Sequence, residues 1–585
     1  MLGNVKATTG FSTFFDRGIE ISNPRDIVEH FNDYFVNIGT RLAEAIHSPS
    51  TDFTSYLDKT LKTTDSFVLH PTDAWEIIRI VNGFAGKSSC GVDGLPVNLM
   101  KECIVHIAEP LSALINVSFC TGVVPDSLKI AKICPIYKGG GEHDFSNYRP
   151  ISVLPSFSKI YEKAVYNRLS NYFNTKHFFI DNQYGFRPSY STFMALQDMY
   201  DKISQSIEHR ESSIGVFLDL SKAFDTVNHD ILLCKLSHYG VRGVALEWFS
   251  DYLTRRKQCV VFNGVTSDLK NILCGVPQGS ILGPLLFIIY VNDITNCSKL
   301  LHFILFADDT NIFYSNKCQT GLICTLNFEL SLLSDWFRAN KLSLNVKKSN
   351  YIVFGNNSRE SADCAENVVI DGIKIEKVSS TKFVGVYIDE NLNWKQHTFH
   401  TASKISRSLG MINRVKYILS HDLLLTLYRT MIHPYLLYCN ILWGNASMVA
   451  LKPLILLQKR AVRVITGSDY RAHSNPLFAR LSLLNLADIN NQQVLLFMYR
   501  FKHSLLPSSS CRLLSLSPLQ SNYCLRREND FVLEKYRTVT RKRGISIHGP
   551  DLWRSLPDSL KSADSLLIFK RELTRSFFEG YLLVS

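Results

Sequence analysis

Residues 306–310 read "FADDT", between the apolar runs "LLHFILF" (300–306) and "NIFYS" (311–315). Two apolar runs of strand length around a short polar break read as a β-hairpin with two carboxylates at its tip. Adjacent carboxylates repel, so a turn that served only folding would seldom use them. Taken alone, the pair also fits an ordinary turn or a helix cap. A third carboxylate changes its meaning. In "IGVFLDLSKAF" (214–224) Asp219 ends an apolar strand. A carboxylate there is costly unless it is paired, hydrogen-bonded or metal-bound; capping the next helix is the plainer alternative. If the two strands are neighbours, Asp219, Asp308 and Asp309 meet at one end of a sheet. Divalent cations would relieve their repulsion. Hard oxygen ligands in an incomplete cage suit Mg²⁺, and two such ions can clamp the oxygens of an in-line phosphoryl transfer.

The rest of the chain bounds this reading. It has 585 residues, too many for one core, so several subdomains are expected. Hydrophobic residues make up 46% and charged residues 20%, the balance of a folded chain. The net charge of +12 favours a polyanionic partner. The 14 cysteines form no CxxC pair and read as reduced thiols. The N-terminus lacks a signal-peptide core, and the apolar run 281–291 is too short to span a bilayer. These features point to a protein of the cytosol or nucleus, with no membrane partner. No Cys/His knuckle is evident.

Apolar spacing predicts helices over 24–47, 72–84 and 97–118, with a glycine-rich loop at 88–96. From about 131, strands and helices alternate. "AKICPIYKGGG" is a strand running into a glycine loop, and Ser156–Phe173 is an amphipathic helix. Residues 212–240 are a buried strand, a turn and a helix, and 281–292 a further helix. After the hairpin come a helix at 326–342, a strand at 349–355 and a strand pair within 368–389. From 391 the chain is helical, with single helices expected over 401–418, 421–439, 450–466 and 487–503. An irregular basic stretch (508–548) precedes a last helix at 562–580.

Several ordered segments carry a family resemblance. "FLDLSKAFDTVNH" (217–229), "GVPQGSILGPLLF" (275–287) and "FADD" (306–309) resemble the palm motifs of reverse transcriptases, specifically those of non-LTR (LINE-type, jockey-like) retrotransposons. "YRPISVLPSFSKIYEKAVYNRL" (148–169) and "NQYGFRPSYST" (182–192) resemble that family's fingers. "KLSLNVKKSNYIVF" (341–354) and "KFVGVYID" (382–389) resemble its next palm motifs, and "LYRTMIHPYLLYCNILWGN" (427–445) and "LQKRAVRVIT" (457–466) its thumb. The resemblance implies an α+β right-hand polymerase. Its expected parts are a helical N-terminal extension (1–130), fingers and palm (131–390), a helical thumb (391–470) and a C-terminal helical domain (471–585).

It also implies roles. Asp219, Asp308 and Asp309 match the metal triad, with Asp309 either ligating or supporting, and two Mg²⁺ ions as cofactors (Mn²⁺ as a substitute). Phe224 matches an aromatic gate that excludes ribonucleotides, though a core phenylalanine fits too. Gln278 and Gly279 match the nucleotide-contacting turn, Arg187 a fingers arginine on the triphosphate, and Lys138 a second cation of that cradle. Lys348 matches a lysine that protonates pyrophosphate, with Lys347 blurring the register and Ser349 standing where most relatives have threonine. Phe383 and Gly385 match the primer grip, or plain core packing. Asp225 is given a helix-surface or structural hydrogen-bond role rather than a metal role, and His397 a structural one. The expected activity is RNA-directed DNA polymerisation on an RNA template, from a DNA primer at a nicked target, using dNTPs. Relatives carry an endonuclease ahead of the polymerase; the preface here resembles the connecting region, so the expectation is either a 5′-truncated element copy translated from an internal Met or a nick supplied from elsewhere, by a separate endonuclease. The alternatives are a catalytically inactive nucleic-acid-binding remnant and an RNA-dependent RNA polymerase, the latter disfavoured by Phe224.

Overall fold

Strand Ser212–Leu218 is buried at every position and forms the middle of the molecule. That burial explains its apolar stretch Ile214–Leu218, since a strand covered on both faces has no polar side to alternate. Residues 13–16, 18–59, 64–86, 88–355, 367–507, 531–532 and 534–583 are described by the computed structural model. The central sheet runs Glu376–Lys377, Asn350–Phe354, Ser212–Leu218, Asp309–Asn316, His302–Phe306. Its long pairings are antiparallel. A second sheet is built on Ile130–Tyr137, which lies between Tyr148–Val153 and Lys257–Phe262.

Helices cover these sheets. Helix Pro24–Glu44 starts with Asn23 capping the Arg25 N–H and with Pro24 in the first turn, a position where a missing N–H costs nothing. Its Phe31 packs on Phe14, Phe145 and Tyr148 against the second sheet. Helices Ala74–Gly83 and Val97–Thr121 share one continuous core with Val216 of the central sheet and Leu286 of helix Leu282–Tyr290. The core therefore does not break near residue 130. Val97–Thr121 is the one described helix that could cross a membrane by length and composition. Here Met100, Ile104, Leu111, Ile115 and Phe119 are buried in the core.

The mixed centre and the helical remainder match the α+β class. Several elements differ from the sequence reading. The expected helix 421–439 breaks into His421–Met431, His433–Leu437 and Asn440–Trp443. Pro434 has no N–H to continue the first helix, and Cys439 turns left-handed at φ +51°. Helix Lys395–Val415 starts six residues earlier than expected. Helices Thr192–Glu208 and Val244–Leu253 and the pair Phe14–Asp16/Ile19–Ile21 were not foreseen. Of the basic stretch, 508–530 and 533 lie outside the described residues, while Ile545–Arg554 is helical.

A buried ion pair and a buried hydrogen-bonded glutamate lock the central helices. Lys235 meets Asp293 at 2.8 Å, both almost fully buried, and Trp336 Nε1 donates to the same carboxylate at 3.2 Å. Glu162 accepts from Tyr252 and from the Ile281 N–H, holding the start of helix Leu282–Tyr290. Removing one partner of a buried pair strands the other charge. Lys235→Met should therefore lower the unfolding free energy by about 3–5 kcal/mol in urea titration, and adding Asp293→Asn should recover part of it. A loss under about 1 kcal/mol would show that the pair does not hold these helices.

Candidate active site

Phe306 stands opposite Asp309, leaving a two-residue turn of Ala307 and Asp308. Ala307 sits at φ +58°, a left-handed conformation that costs a non-glycine residue about 1–2 kcal/mol. Neighbours hold it there. The Gln183 Oε1 accepts from the Ala307 N–H at 3.1 Å and from the Gly185 N–H at 2.8 Å. The Tyr184 N–H donates to the Leu305 carbonyl, and the Leu305 N–H to that of Asn182. Gly185 comes so close that a Cβ would stand 2.3 Å from the Ala307 nitrogen. "NQYGF" is thus the brace of the hairpin tip.

Register brings the third carboxylate in. Leu218 pairs with Thr310, so the next step places Asp219 across from Asp309. A turn after helix Gln319–Ala339 grips Asp219. The Asn345 N–H donates to its carbonyl at 2.8 Å and the Asn345 amide to its carboxylate at 3.2 Å. Its own N–H donates to the Ser349 hydroxyl at 3.3 Å. Ser349 therefore ties this turn to the end of the Asp219 strand. Lys348 sits in the same turn, exposed.

The three aspartates feel one another. Burial, then the Asp219 charge, raises the Asp308 carboxyl, while Arg149 and Lys138 oppose the rise. Asp309 is at the exposed rim, yet lost hydration, then Asp308 and Asp219, push it up to about 6, against Lys138. Among the described residues no three acidic, histidine or cysteine side chains enclose a metal-sized site. As they stand, the aspartates are thus not a closed cage. They fit Mg²⁺ in another sense: two adjacent carboxylates with unneutralised charge, leaving the remaining positions to water and substrate phosphates.

The nucleotide candidates lie on two loops zipped side by side. The Val276 N–H donates to the Phe224 carbonyl and the Gly275 N–H to that of Val227. The Phe224 ring stacks on Phe287 at 4.7 Å and meets Phe186 edge-on at 6.2 Å. The Gln278 amide donates to both oxygens of Asp225 at 3.2 Å. Burial pushes the Asp225 carboxyl up to about 7, opposed by Lys222 and Gln278. Asp225 lies in a turn and orients Gln278, the structural role expected of it. Lys138, Arg149, Lys222 and Lys348 all act on this region through their charges.

Some expected residues are placed otherwise. Arg187 donates to the Ile180 carbonyl at 2.8 Å and lies over the Tyr190 ring, so its guanidinium serves its own loop rather than an open cradle. Gly279, at φ +120°, makes its close approach to Ser152, where a Cβ would stand 2.5 Å from the carbonyl oxygen. Phe383 is buried against Phe217, a core residue as it stands. Gly385 closes the turn of its hairpin at φ +85° against Tyr438, whose hydroxyl donates to the Val384 carbonyl at 2.6 Å. His397 is buried beside Trp443 and accepts weakly from the Tyr387 N–H, as a structural histidine. Sequence reasoning missed Gln183, Asn345, Arg149, Lys222 and Phe186. Only Arg149 and Lys222 had a signal, as cations inside quoted motifs.

Residues 136–388 match the family described as reverse transcriptase (RNA-dependent DNA polymerase). Over 482 residues the chain is 27% identical to the probable RNA-directed DNA polymerase from transposon BS of Drosophila melanogaster, covering 78% of this chain and 51% of that protein. It is 27% identical to the probable RNA-directed DNA polymerase from transposon X-element of the same organism, covering 67% and 43%. With the RNA-directed DNA polymerase from mobile element jockey, also from that organism, identity is 26%, covering 71% and 46%. The chain spans about half the length of the curated relatives it matches.

Two outcomes follow from this geometry. Gly185→Ala should cost about 1–3 kcal/mol in denaturant unfolding through overpacking against the hairpin; an unchanged midpoint would mean that the brace is loose. Because the folded state raises the Asp225 carboxyl from 3.8 to about 7, it binds more protons there than the unfolded chain, so this group loses stability as pH rises across that window. Asp225→Asn removes the loss. Its stability relative to the parent should climb between about pH 4 and 7 and level off above, and a flat difference would show that Asp225 is solvated.

Proposed function

From the match of residues 136–388 to the reverse transcriptase family and the likeness to polymerases of mobile elements, we propose that the chain is an RNA-directed DNA polymerase of the non-LTR retrotransposon kind. The observation that carries this reading is the meeting of Asp219, Asp308 and Asp309 at the end of neighbouring antiparallel strands of the central sheet. In this reading the chain is a right hand. Fingers and palm occupy about 131–390, a thumb 391–470 and a C-terminal helical domain 471–585, with the helical extension 1–130 in front.

Asp219, Asp308 and Asp309 would hold two Mg²⁺ ions, or Mn²⁺. When bound, such ions neutralise the phosphates and polarise the reacting oxygens. The substrates are an RNA template, a DNA primer at a nicked target and a dNTP. The primer 3′-hydroxyl gives up its proton to solvent as its oxygen attacks the α-phosphorus; a new P–O bond forms, and the bond from the α-phosphorus to the β-phosphate oxygen breaks, releasing pyrophosphate. Lys138, Arg149 and Lys222 hold the triphosphate by charge. Lys348 gives a proton to the leaving pyrophosphate oxygen. The Phe224 ring, fixed on Phe287, excludes a 2′-hydroxyl by contact. Gln278, held by Asp225, presents its amide to the nucleotide. The work would be done in the nucleus, the cytoplasm or both.

Primer extension on an RNA template with dNTPs and Mg²⁺ tests the reading. The parent should extend the primer and Asp308→Asn should not, with a loss of at least about 100-fold. No extension by a folded parent that still binds primer–template would favour the inactive remnant. Phe224→Val should raise ribonucleotide incorporation relative to dNTP by about 10-fold or more; unchanged discrimination would leave Phe224 a core residue.

A further inference from the structure

A second concave site lies among the C-terminal helices. It is a groove of about 610 Å³ between the end of helix Lys395–Val415, the start of His421–Met431 and the end of Met448–Thr466. That volume falls within the roughly 300–1,000 Å³ of ligand sites. Its lining includes Lys416, Tyr417, His421, Arg460, Arg463 and Tyr470. Among the described residues no carboxylate lines it; Asp422 and Asp469 adjoin it in sequence, and the Asp469 carboxylate accepts from the Arg471 N–H at 2.8 Å. Among the described residues no ion pair joins Lys416, Arg460 or Arg463 to an acidic side chain.

Helix ends account for part of this. Cations near a helix C-terminus favour its carbonyl dipoles, and Lys416 and Arg463 stand at two such ends. Arg463 also donates to the Ala472 carbonyl at 2.8 Å. The tyrosines have no such explanation. Tyr417 is 87% exposed and Tyr470 72% exposed. Lys416 lies over the Tyr417 ring at 4.9 Å and Arg471 over the Tyr470 ring at 5.3 Å. Two exposed rings beside unpaired cations match what an unstacked nucleotide needs: a flat face for the base and a charge for the phosphate. A duplex keeps its bases stacked and would meet such a groove with phosphates alone.

We infer that this groove is a binding site for single-stranded RNA, with bases on Tyr417 and Tyr470 and phosphates on Lys416, Arg460 and Arg463. The inference rests on the RNA-templated reading above and names a second place where the chain holds RNA. Its occupant is a strand not paired to primer.

The test compares binding of a labelled 12-nucleotide single-stranded RNA with that of a blunt RNA duplex, by fluorescence anisotropy on the full chain. Tyr417→Ala with Tyr470→Ala should weaken single-stranded binding by about 10-fold or more and leave duplex binding within about twofold. Both side chains are exposed, so the fold should survive. Lys416→Gln with Arg460→Gln should lower the slope of log affinity against log salt by about 1.4 for the single strand. Iodouridine-substituted RNA should crosslink to Tyr417 or Tyr470. Equal losses on single strand and duplex, or no loss and no crosslink, would overturn the inference. Binding and extension are read separately. A parent that crosslinks at the groove but extends no primer keeps the groove and loses the polymerase reading. A parent that extends primers while the tyrosine variants bind RNA normally does the reverse.

Discussion

Three carboxylates crowded at one end of a buried sheet are the constraint that the rest of this structure answers. Nothing in the fold of a hairpin calls for Asp308 beside Asp309, with Asp219 across the strand. Their repulsion and lost hydration raise the Asp308 and Asp309 carboxyls. Such an arrangement persists only where surrounding contacts over-determine it. Gln183 and Gly185 clamp one side of the tip, and Asn345 and Ser349 clamp Asp219. Each clamp comes from a segment distant in sequence, so the geometry needs the whole centre of the chain to be folded.

The same logic reaches the N-terminal helix. A Cβ on Gly39 would stand 2.2 Å from the Asp225 carbonyl and 2.6 Å from the Cys274 sulfur. Helix Pro24–Glu44 therefore lies directly on the two loops that carry Phe224 and Gln278. From the other side, Glu162 fixes the helix that begins at the end of the Gln278 loop. The nucleotide candidates are thus positioned by rigid helices, whose packing limits how far the loops can shift. The preface is part of the site's support rather than an appendage.

Much of this was legible in the sequence because it rests on local pattern. The apolar runs around 306–310 and before Asp219 announced their strands, and the helix expected over Ser156–Phe173 is observed over Ser156–Thr175. Asp225 was read as structural, and the Gln278 contact bears that out. What was not legible depends on tertiary contact. Gln183 looked like any loop amide until its oxygen met Ala307. Phe383 reads the same in a groove as in a core, and only packing places it on Phe217. Arg187 carries a charge that suits phosphate, but its neighbours Tyr190 and Ile180 hold it first. The break at Pro434 was visible in principle, since proline inside a helical pattern marks a boundary.

The central claim is that the aspartates form a cation site held under repulsion. The most direct measurement is thermal unfolding of the parent and of Asp308→Asn at pH 8, without metal and with Mg²⁺ or Mn²⁺. The account predicts that metal raises the parent Tm by several degrees, as ligand linkage requires. It also predicts that metal-free Asp308→Asn is at least as stable as the metal-free parent, because one repelling charge is gone, and that it responds little to metal. A parent Tm indifferent to metal, or an equal rise in both proteins, would contradict it.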